Sequence, residues 1–251
     1  VTKLHNITMY SLVVRNLKSV IAAGGLGTRL QNFRGNQSTK ILLDVNGIPM
    51  INRQIIQLLD WGCEEFVIIT NPEFEDLIKK VTTEAFPSLN LKFATQDEPK
   101  GISHALKQAE VHVDRDEKIL FILGDNFFEK NPIIDFDFSQ YKKGSYIFTK
   151  SVNNPQEFGV AQMNSNGNVV SIDEKPIAPK SDLAVVGIYI FDETVFEKIS
   201  TLSPSSRGEY EITDLCNIYV QENTCRNFVI DGWWIDAGTP DRIIELEEKL
   251  P

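Results

Sequence analysis

Apolar and polar positions alternate in blocks along the first half of the chain. Residues 19–23 (SVIAA), 65–70 (EFVIIT), 91–95 (LKFAT) and 118–123 (KILFIL) are short runs of strand length, most of them rich in β-branched side chains. Between them lie stretches of helical period. Residues 49–61 place Ile51, Ile55, Ile56, Leu58 and Leu59 on one broad face, with Gly62 as the stop. Asn71-Pro72 predicts the opening of a second helix, Asn as its cap and Pro in its first turn. Residues 101–111 predict a third. Strands separated by helices imply βαβ units and a mostly parallel sheet buried on both faces.

From about Tyr146 the pattern changes. SYIFTK, FGVAQM, NVVSID and LAVVGIYIF follow one another without a long helix, with Ser165-Asn166-Gly167 as a turn between two of them. This predicts a smaller antiparallel lobe on the sheet. Helical patterns return at residues 193–200, 211–222 and 240–250. No internal repeat and no Pro/Ser/Gly-rich linker divides the 251 residues.

Charge narrows the partners. Twenty-five Lys and Arg stand against thirty-five Asp and Glu, a formal net charge of -10. Nucleic-acid and membrane-surface binders usually carry a basic excess, so neither partner is expected. An anionic ligand would need a local pocket of amides, selected cations or metal. Cys63, Cys216 and Cys225 form no CxxC pair, which argues against a disulfide framework or a zinc site and favours a reducing compartment. Cys216 shares a helical face with Ile212 and Tyr219 and reads as core. The longest strongly apolar run, residues 183–191, is far shorter than the roughly 20 residues of a membrane span. Residues 1–18 do not read as a signal peptide. A cytoplasmic protein is the expectation.

The first strand runs into Gly24-Gly25-Leu26-Gly27-Thr28-Arg29, where glycines let backbone N–H groups approach an anion. A P-loop is excluded, because the GxxxxGK[ST] spacing is absent. A dinucleotide fingerprint fits poorly. Asp44 lies at a suitable distance, but the third Gly is missing and residues 31–39 (QNFRGNQST) are polar with no apolar face. A triphosphate cradle fits, with Arg29 and Lys40 as cations. A plain strand-to-loop turn remains the bland alternative. Asp125, directly after a buried strand, suits either a ligand site at the carboxyl edge of the sheet or a helix cap. Gln96 could pair with a pyrimidine imide or be merely solvated. His5, His104 and His112 form no catalytic constellation, and Trp61, Trp233 and Trp234 read as packing.

GGLGTRL, then Lys40 in TKILLDVNGIPMI, resembles the signature of the sugar-nucleotide pyrophosphorylases, nucleotidyltransferases of the glucose-1-phosphate thymidylyltransferase and uridylyltransferase kind. Further motifs follow in that family's order: TQDEPKG, ILGDNFF, EFGV, IDEKP, VVGIY, SSRGEYEITD and WIDAGT. SSRGEYEITD is closest to the thymidylyltransferase form. The resemblance spans nearly the whole chain and implies an α/β fold: a Rossmann-like mixed, mostly parallel sheet flanked by helices, with a smaller antiparallel sugar-binding lobe. It divides the chain into an N-terminal extension (1–18) and one nucleotidyltransferase domain (19–251). Within that domain a nucleotide-binding part covers about 19–144, a sugar-binding lobe about 145–231 and a closing helix about 239–250.

The resemblance also implies roles. Ala23, Gly24, Gly25, Gly27, Thr28, Gln96, Pro99 and Gly101 would bind the nucleotide. Gly124, Asn126, Gly159, Glu174, Lys175, Val186 and Gly187 would bind the sugar phosphate. Asp125 and Asp236 would hold Mg2+, and Arg29, Lys40 and Lys175 would be the catalytic cations. The implied reaction joins a nucleoside triphosphate, dTTP first, to a sugar 1-phosphate, glucose 1-phosphate first, giving dTDP-glucose and pyrophosphate. UTP is the rival donor, and a non-catalytic nucleotide-sugar-binding module is the rival of another class. Asp44 stands where the family usually has Pro. Short thymidylyltransferases continue past Leu250 with helices tied to feedback control and tetramer contacts, which leaves both open here. A homodimer is the expected assembly if the chain oligomerises.

Overall fold

A computed structural model describes residues 17–25, 27, 30, 33, 39–138 and 140–250. The N-terminal extension lies outside the described residues apart from Leu17 and Lys18, which form the start of the first strand. Strand β1 (Leu17–Ala22) sits at the centre of the sheet between β4 (Phe66–Thr70) and β6 (Lys118–Leu123), parallel to both, and β5 (Leu91–Thr95) continues outward from β4. The short β2 (Asp44–Val45) and β3 (Ile48–Pro49) pair antiparallel apart from this sheet. Val20, Ile21, Phe121 and Ile122 are fully buried. Their near-continuous apolar runs have this cause: both faces of a central parallel strand are covered.

Successive side chains feed opposite layers. Ile21, Ile68 and Ile122 face one core, together with Ile51 and Ile55 of helix α1 (Met50–Asp60). Val20, Val67 and Phe121 face the other, with Ala105 and Leu106 of α3 (Ile102–Gln108) and Leu215, Cys216 and Tyr219 of α5 (Ile212–Gln221). Cys216 is core, as its helical position predicts. Helix α2 (Glu75–Ala85) lies between β4 and β5 and begins three residues later than Asn71-Pro72 suggests. Asn71 instead accepts from the Phe74 backbone N–H at 3.0 Å, closing a turn ahead of the helix, and donates to the Gly24 carbonyl at 3.0 Å. The third predicted helix is α-helical to Gln108 and tightens into a 3-10 turn over Ala109–His112.

Beyond β6, the short strand β7 (Asn126–Phe128) is followed by β8 (Ser145–Ser151), β9 (Gly159–Met163), β10 (Val169–Glu174), β11 (Leu183–Phe191), helix α4 (Val195–Ile199) and β12 (Cys225–Val229). These strands do not all form a separate antiparallel unit. β11 pairs antiparallel with β6 and β8, and β12 pairs parallel with β8, so the central sheet simply continues. Only β9 and β10 project as a hairpin, turning at Gly167 with a φ of 77°. β11 is the fork. Its second half lies on β6, its first half touches β9 through Ala184 and Val160, and its register on β8 shifts between Val185 and Tyr189. A cleft opens where the strand leaves one neighbour for another. β13 (Trp234–Asp236) pairs antiparallel with β7, and α6 (Pro240–Lys249) closes the described chain. No helix among the described residues is long and apolar enough to cross a membrane.

Candidate active site

The chain leaves β1 for β4 on one side and later returns to β6 on the other. Ligands in open α/β sheets bind at the carboxyl ends of the strands at such a switch point. Two cavities lie there. The first, of 360 Å³, is lined by Gly24 and Gly25 after β1, Lys40, Gln96, Pro99 and Gly101 after β5, and Asp125 after β6. The second, of 590 Å³, is the cleft at the β11 fork, lined by Phe158, Gly159, Glu174, Lys175, Gly187, Thr213, Trp234 and Arg242 among others. Asp236, Ile102 and Leu123 line both.

Sequence spacing says nothing of how Asp125 and Asp236, 111 positions apart, are disposed. The fold brings them together. Asp236 is the register partner of Asn126 across β13 and β7, and the Ala237 N–H donates to the Asp125 carbonyl at 2.8 Å. Asn126 then organises the junction. Its Nδ2 donates to Asp125 Oδ1 at 3.0 Å, while its Oδ1 accepts from Trp234 Nε1 at 2.7 Å and Gly187 N–H at 3.2 Å. Gly187 has no room for a side chain, since a Cβ would lie 2.7 Å from the Asn126 amide carbon. Asn126 lines the cleft, but its amide is largely spent on these internal bonds. Trp234 also lines it, edge-on to Phe158 at 5.2 Å, rather than being plain core.

Lys40 forms an ion pair with Asp125 Oδ2. Burial alone pushes the Asp125 carboxyl up, but the Lys40 charge and hydrogen bond, with Asn126, outweigh it and hold the group below the ordinary carboxylate range. Gly27, at φ 61°, packs against the Lys40 stem, where a Cβ would come within 2.7 Å of Lys40 Cβ. Thr39 ties this segment to the glycine loop by donating to the Gly25 carbonyl at 2.9 Å. Thr28 and Arg29 lie outside the described residues.

Gln96, only 9% exposed, sits over α3. Its Nε2 donates to the Gly101 carbonyl at 3.1 Å and lies 3.1 Å from His104 Nδ1. Gly101 has a φ of 104°, and a Cβ there would lie 2.6 Å from the Tyr210 carbonyl oxygen. Tyr210 N–H donates to the Lys100 carbonyl at 2.8 Å and the Tyr210 carbonyl accepts from Ser103 N–H at 3.0 Å, so the two loops are knitted together. Gly101→Ala is therefore expected to cost about 1–3 kcal/mol of stability, which thermal unfolding checks.

In the cleft, Glu174 ends β10. Its Oε2 accepts from Thr213 at 3.2 Å and its Oε1 from Arg207 at 3.2 Å. Arg207 also lies 3.4 Å from Glu211, whose carboxyl burial pushes up. Lys175 is held at a φ of 43°, its backbone N–H on the Phe158 carbonyl at 3.0 Å, leaving its ammonium half-exposed and 3.9 Å from Glu174. A non-glycine residue in the left-handed region is costly, and such positions concentrate at functional sites.

Four of the expected site residues that are described line neither cavity: Gly27, packed on the Lys40 stem, and three others. The Ala23 N–H is spent on the Ile69 carbonyl at 2.8 Å, Gly124 packs where a Cβ would meet Ile41 at 2.9 Å, and Val186 is wholly buried. Val185 and Gly187, on the opposite pleat, face the cleft instead. Thr213 and Arg242 line the cleft although the motifs did not single them out; Thr213 lies within SSRGEYEITD and could have been found from that segment, whereas Arg242 carries no local signal. His104 and Asn71 line neither cavity and stand behind the first one, against Gln96 and Gly24.

The donor set fits a hard divalent cation. Mg2+ binds through one or two carboxylates plus ligand phosphates, and Asp125 and Asp236, joined by the Ala237 N–H to Asp125 carbonyl bond, are the pair that would supply them. Among the described residues no group of three or more His, Cys, Asp or Glu gathers into a closed metal cage.

Residues 18–251 match the family described as nucleotidyl transferase. The glucose-1-phosphate thymidylyltransferase of Neisseria meningitidis is 34% identical over 91% of this chain and 81% of its own length. A low-salt glycan biosynthesis nucleotidyltransferase of Haloferax volcanii is 31% identical over 93% of this chain, which spans 66% of that protein. A UTP–glucose-1-phosphate uridylyltransferase of the same organism is 29% identical over 93% of this chain and 96% of its own length. A crystal structure described as a glucose-1-phosphate thymidylyltransferase of Bacillus anthracis superposes with a TM-score of 0.83 at 35% identity, covering 94% of this chain and 96% of that one. The chain belongs to the nucleotidyl transferase family, in its sugar-1-phosphate branch.

Proposed function

We propose that the protein transfers a nucleotidyl group from dTTP to glucose 1-phosphate, releasing pyrophosphate, with UTP as the competing donor. The observation that carries this reading is the position of Asp236. It adjoins Asp125 and forms a wall common to a cavity fit for a nucleotide and a cleft fit for a sugar phosphate.

The attacking group is a phosphate oxygen already ionised near neutral pH, so neither a general base nor a covalent intermediate is needed. The protein's task is alignment and charge neutralisation. Mg2+ held by Asp125 and Asp236 would neutralise phosphate charge at the junction of the cavities. Gln96 meets the base, and the loop around Gly24 and Gly25 meets the triphosphate with Arg29. Lys40 can release Asp125 and turn to the triphosphate. Lys175 receives the sugar phosphate, and Glu174, fixed by Thr213 and Arg207, accepts from sugar hydroxyls.

Thymidylyl- and uridylyltransferases resemble the chain to a similar degree. A thymine methyl in a fitted pocket is worth only about 1–3 kcal/mol, so the donor preference is expected to be graded. Pyrophosphate release is measured with Mg2+, a panel of dTTP, UTP, CTP and GTP, and several sugar 1-phosphates. Release with dTTP or UTP and glucose 1-phosphate is expected. Binding of nucleotide sugar with no release from any pair would overturn the proposal in favour of a sensing module.

A further inference from the structure

His104 has no role in the chemistry above, yet its ring meets the amide of Gln96. Gln96 Nε2 lies 3.1 Å from the Gly101 carbonyl oxygen and 3.1 Å from His104 Nδ1. A primary amide has two N–H donors, and these two acceptors use both. Oε1 is then the group the amide can offer to a ligand. Tyr210 stacks on the imidazole at 6.1 Å with an interplanar angle of 27°, and because an amide nitrogen only donates, the ring nitrogen facing Gln96 is the acceptor of the neutral ring.

We infer that His104 is a positioning residue for base selection: by accepting from Gln96 it holds Oε1 toward the nucleotide cavity, which favours pyrimidines carrying an N3–H. Uracil and thymine present that donor. Cytosine presents a lone pair at N3, which would face the Gln96 oxygen. Reversing the amide to suit cytosine would put Oε1 against the Gly101 carbonyl and the ring nitrogen, two acceptors. The inference rests on the proposed reading of Gln96 as the residue that meets the base.

The acceptor requires a neutral ring. Burial, then the charge of Lys100, push the His104 imidazole below its ordinary range, while Glu98 and Asp97 act in the opposite sense. These groups come from the loop ahead of α3. Tyr210 comes from the loop ahead of α5, and Gln108 lies one turn along α3, its Nε2 3.5 Å from the ring's Nε2. At neutral pH the acceptor is in place, and acidification removes it.

Calorimetric binding of UTP, dTTP and CTP with Mg2+ tests this without requiring turnover. The wild type is expected to prefer UTP and dTTP to CTP. In His104→Ala that preference falls by about tenfold, the worth of roughly one hydrogen bond. His104→Asn, whose Oδ1 can replace Nδ1 as acceptor, restores it. If nucleotides are turned over, the same change appears in KM and leaves kcat nearly untouched. Toward mildly acid pH the wild-type preference narrows, whereas that of His104→Asn does not. An unchanged preference in a folded His104→Ala, or a wild type that binds CTP as well as UTP, overturns the inference. Selective binding with no pyrophosphate release would leave it standing and remove the proposed reaction instead.

Discussion

Asp236→Asn is expected to lower turnover by about 10²–10³-fold, the scale of losing one preorganised charge at a reacting phosphate, with the melting transition nearly unchanged. The backbone of Asp236 holds its place in β13 through pairing with Asn126, and an amide is close to isosteric with a carboxylate. What changes is charge at the wall between the cavities. Asp125→Asn should show a comparable loss together with a raised Mg2+ requirement, because Asp125 is the other half of the oxygen pair. Titrating Mg2+ against initial rate in both variants checks this. An unchanged Mg2+ titration in Asp125→Asn would reduce that residue to a cap on the segment it begins.

Lys40→Met carries the second large effect, and it splits in sign. Turnover falls by about 10²–10³-fold, since on the proposed reading Lys40 is the cation that turns to the triphosphate. Divalent cation binding to the free protein is expected to strengthen, because the Lys40 ammonium holds the Asp125 oxygen that a metal would need. Mn2+ binding followed by paramagnetic resonance, with no nucleotide present, separates the two consequences. A variant that was merely misfolded would lose both. Weaker or unchanged Mn2+ binding in a folded Lys40→Met would mean that the ion pair does not stand in the metal's place.

Much of the architecture was legible because burial writes itself into composition. The runs that became β1, β4 and β6 are largely apolar on both faces since two helical layers cover them, the edge strand β5 keeps Lys92 exposed, and the face of α1 could be read from its period. Pairing was not legible. β12 (CRNFV) has no apolar run to mark it as a strand, and nothing in the chain's periodicity says that it returns parallel to β8 or that β11 forks between β6 and β9. Asn71 was visible as a helix opener, but its side chain serves a turn and the Gly24 carbonyl.

The site divides the same way. Motif order pointed to Asp125, Asp236, Lys40, Gln96, Glu174 and Lys175, all of which the fold places around the two cavities. It could not separate a residue that lines a cavity from a neighbour packed behind it, as Val186 is behind Val185 and Gly187. Nor could it show that Asn126, within the same motif as Asp125, bonds inward to Asp125, Trp234 and Gly187. Those distinctions depend on strand pleat and on contacts between distant segments.

The central claim is that Asp125 and Asp236 form one cation seat at the meeting of the nucleotide and sugar cavities. Anomalous diffraction from crystals grown with Mn2+ and a non-hydrolysable dTTP analogue measures this directly. A single strong peak within bonding distance of both carboxylates and the α-phosphate is the predicted result. A peak bound to other side chains, with the nucleotide in place and neither aspartate contributing, would contradict it.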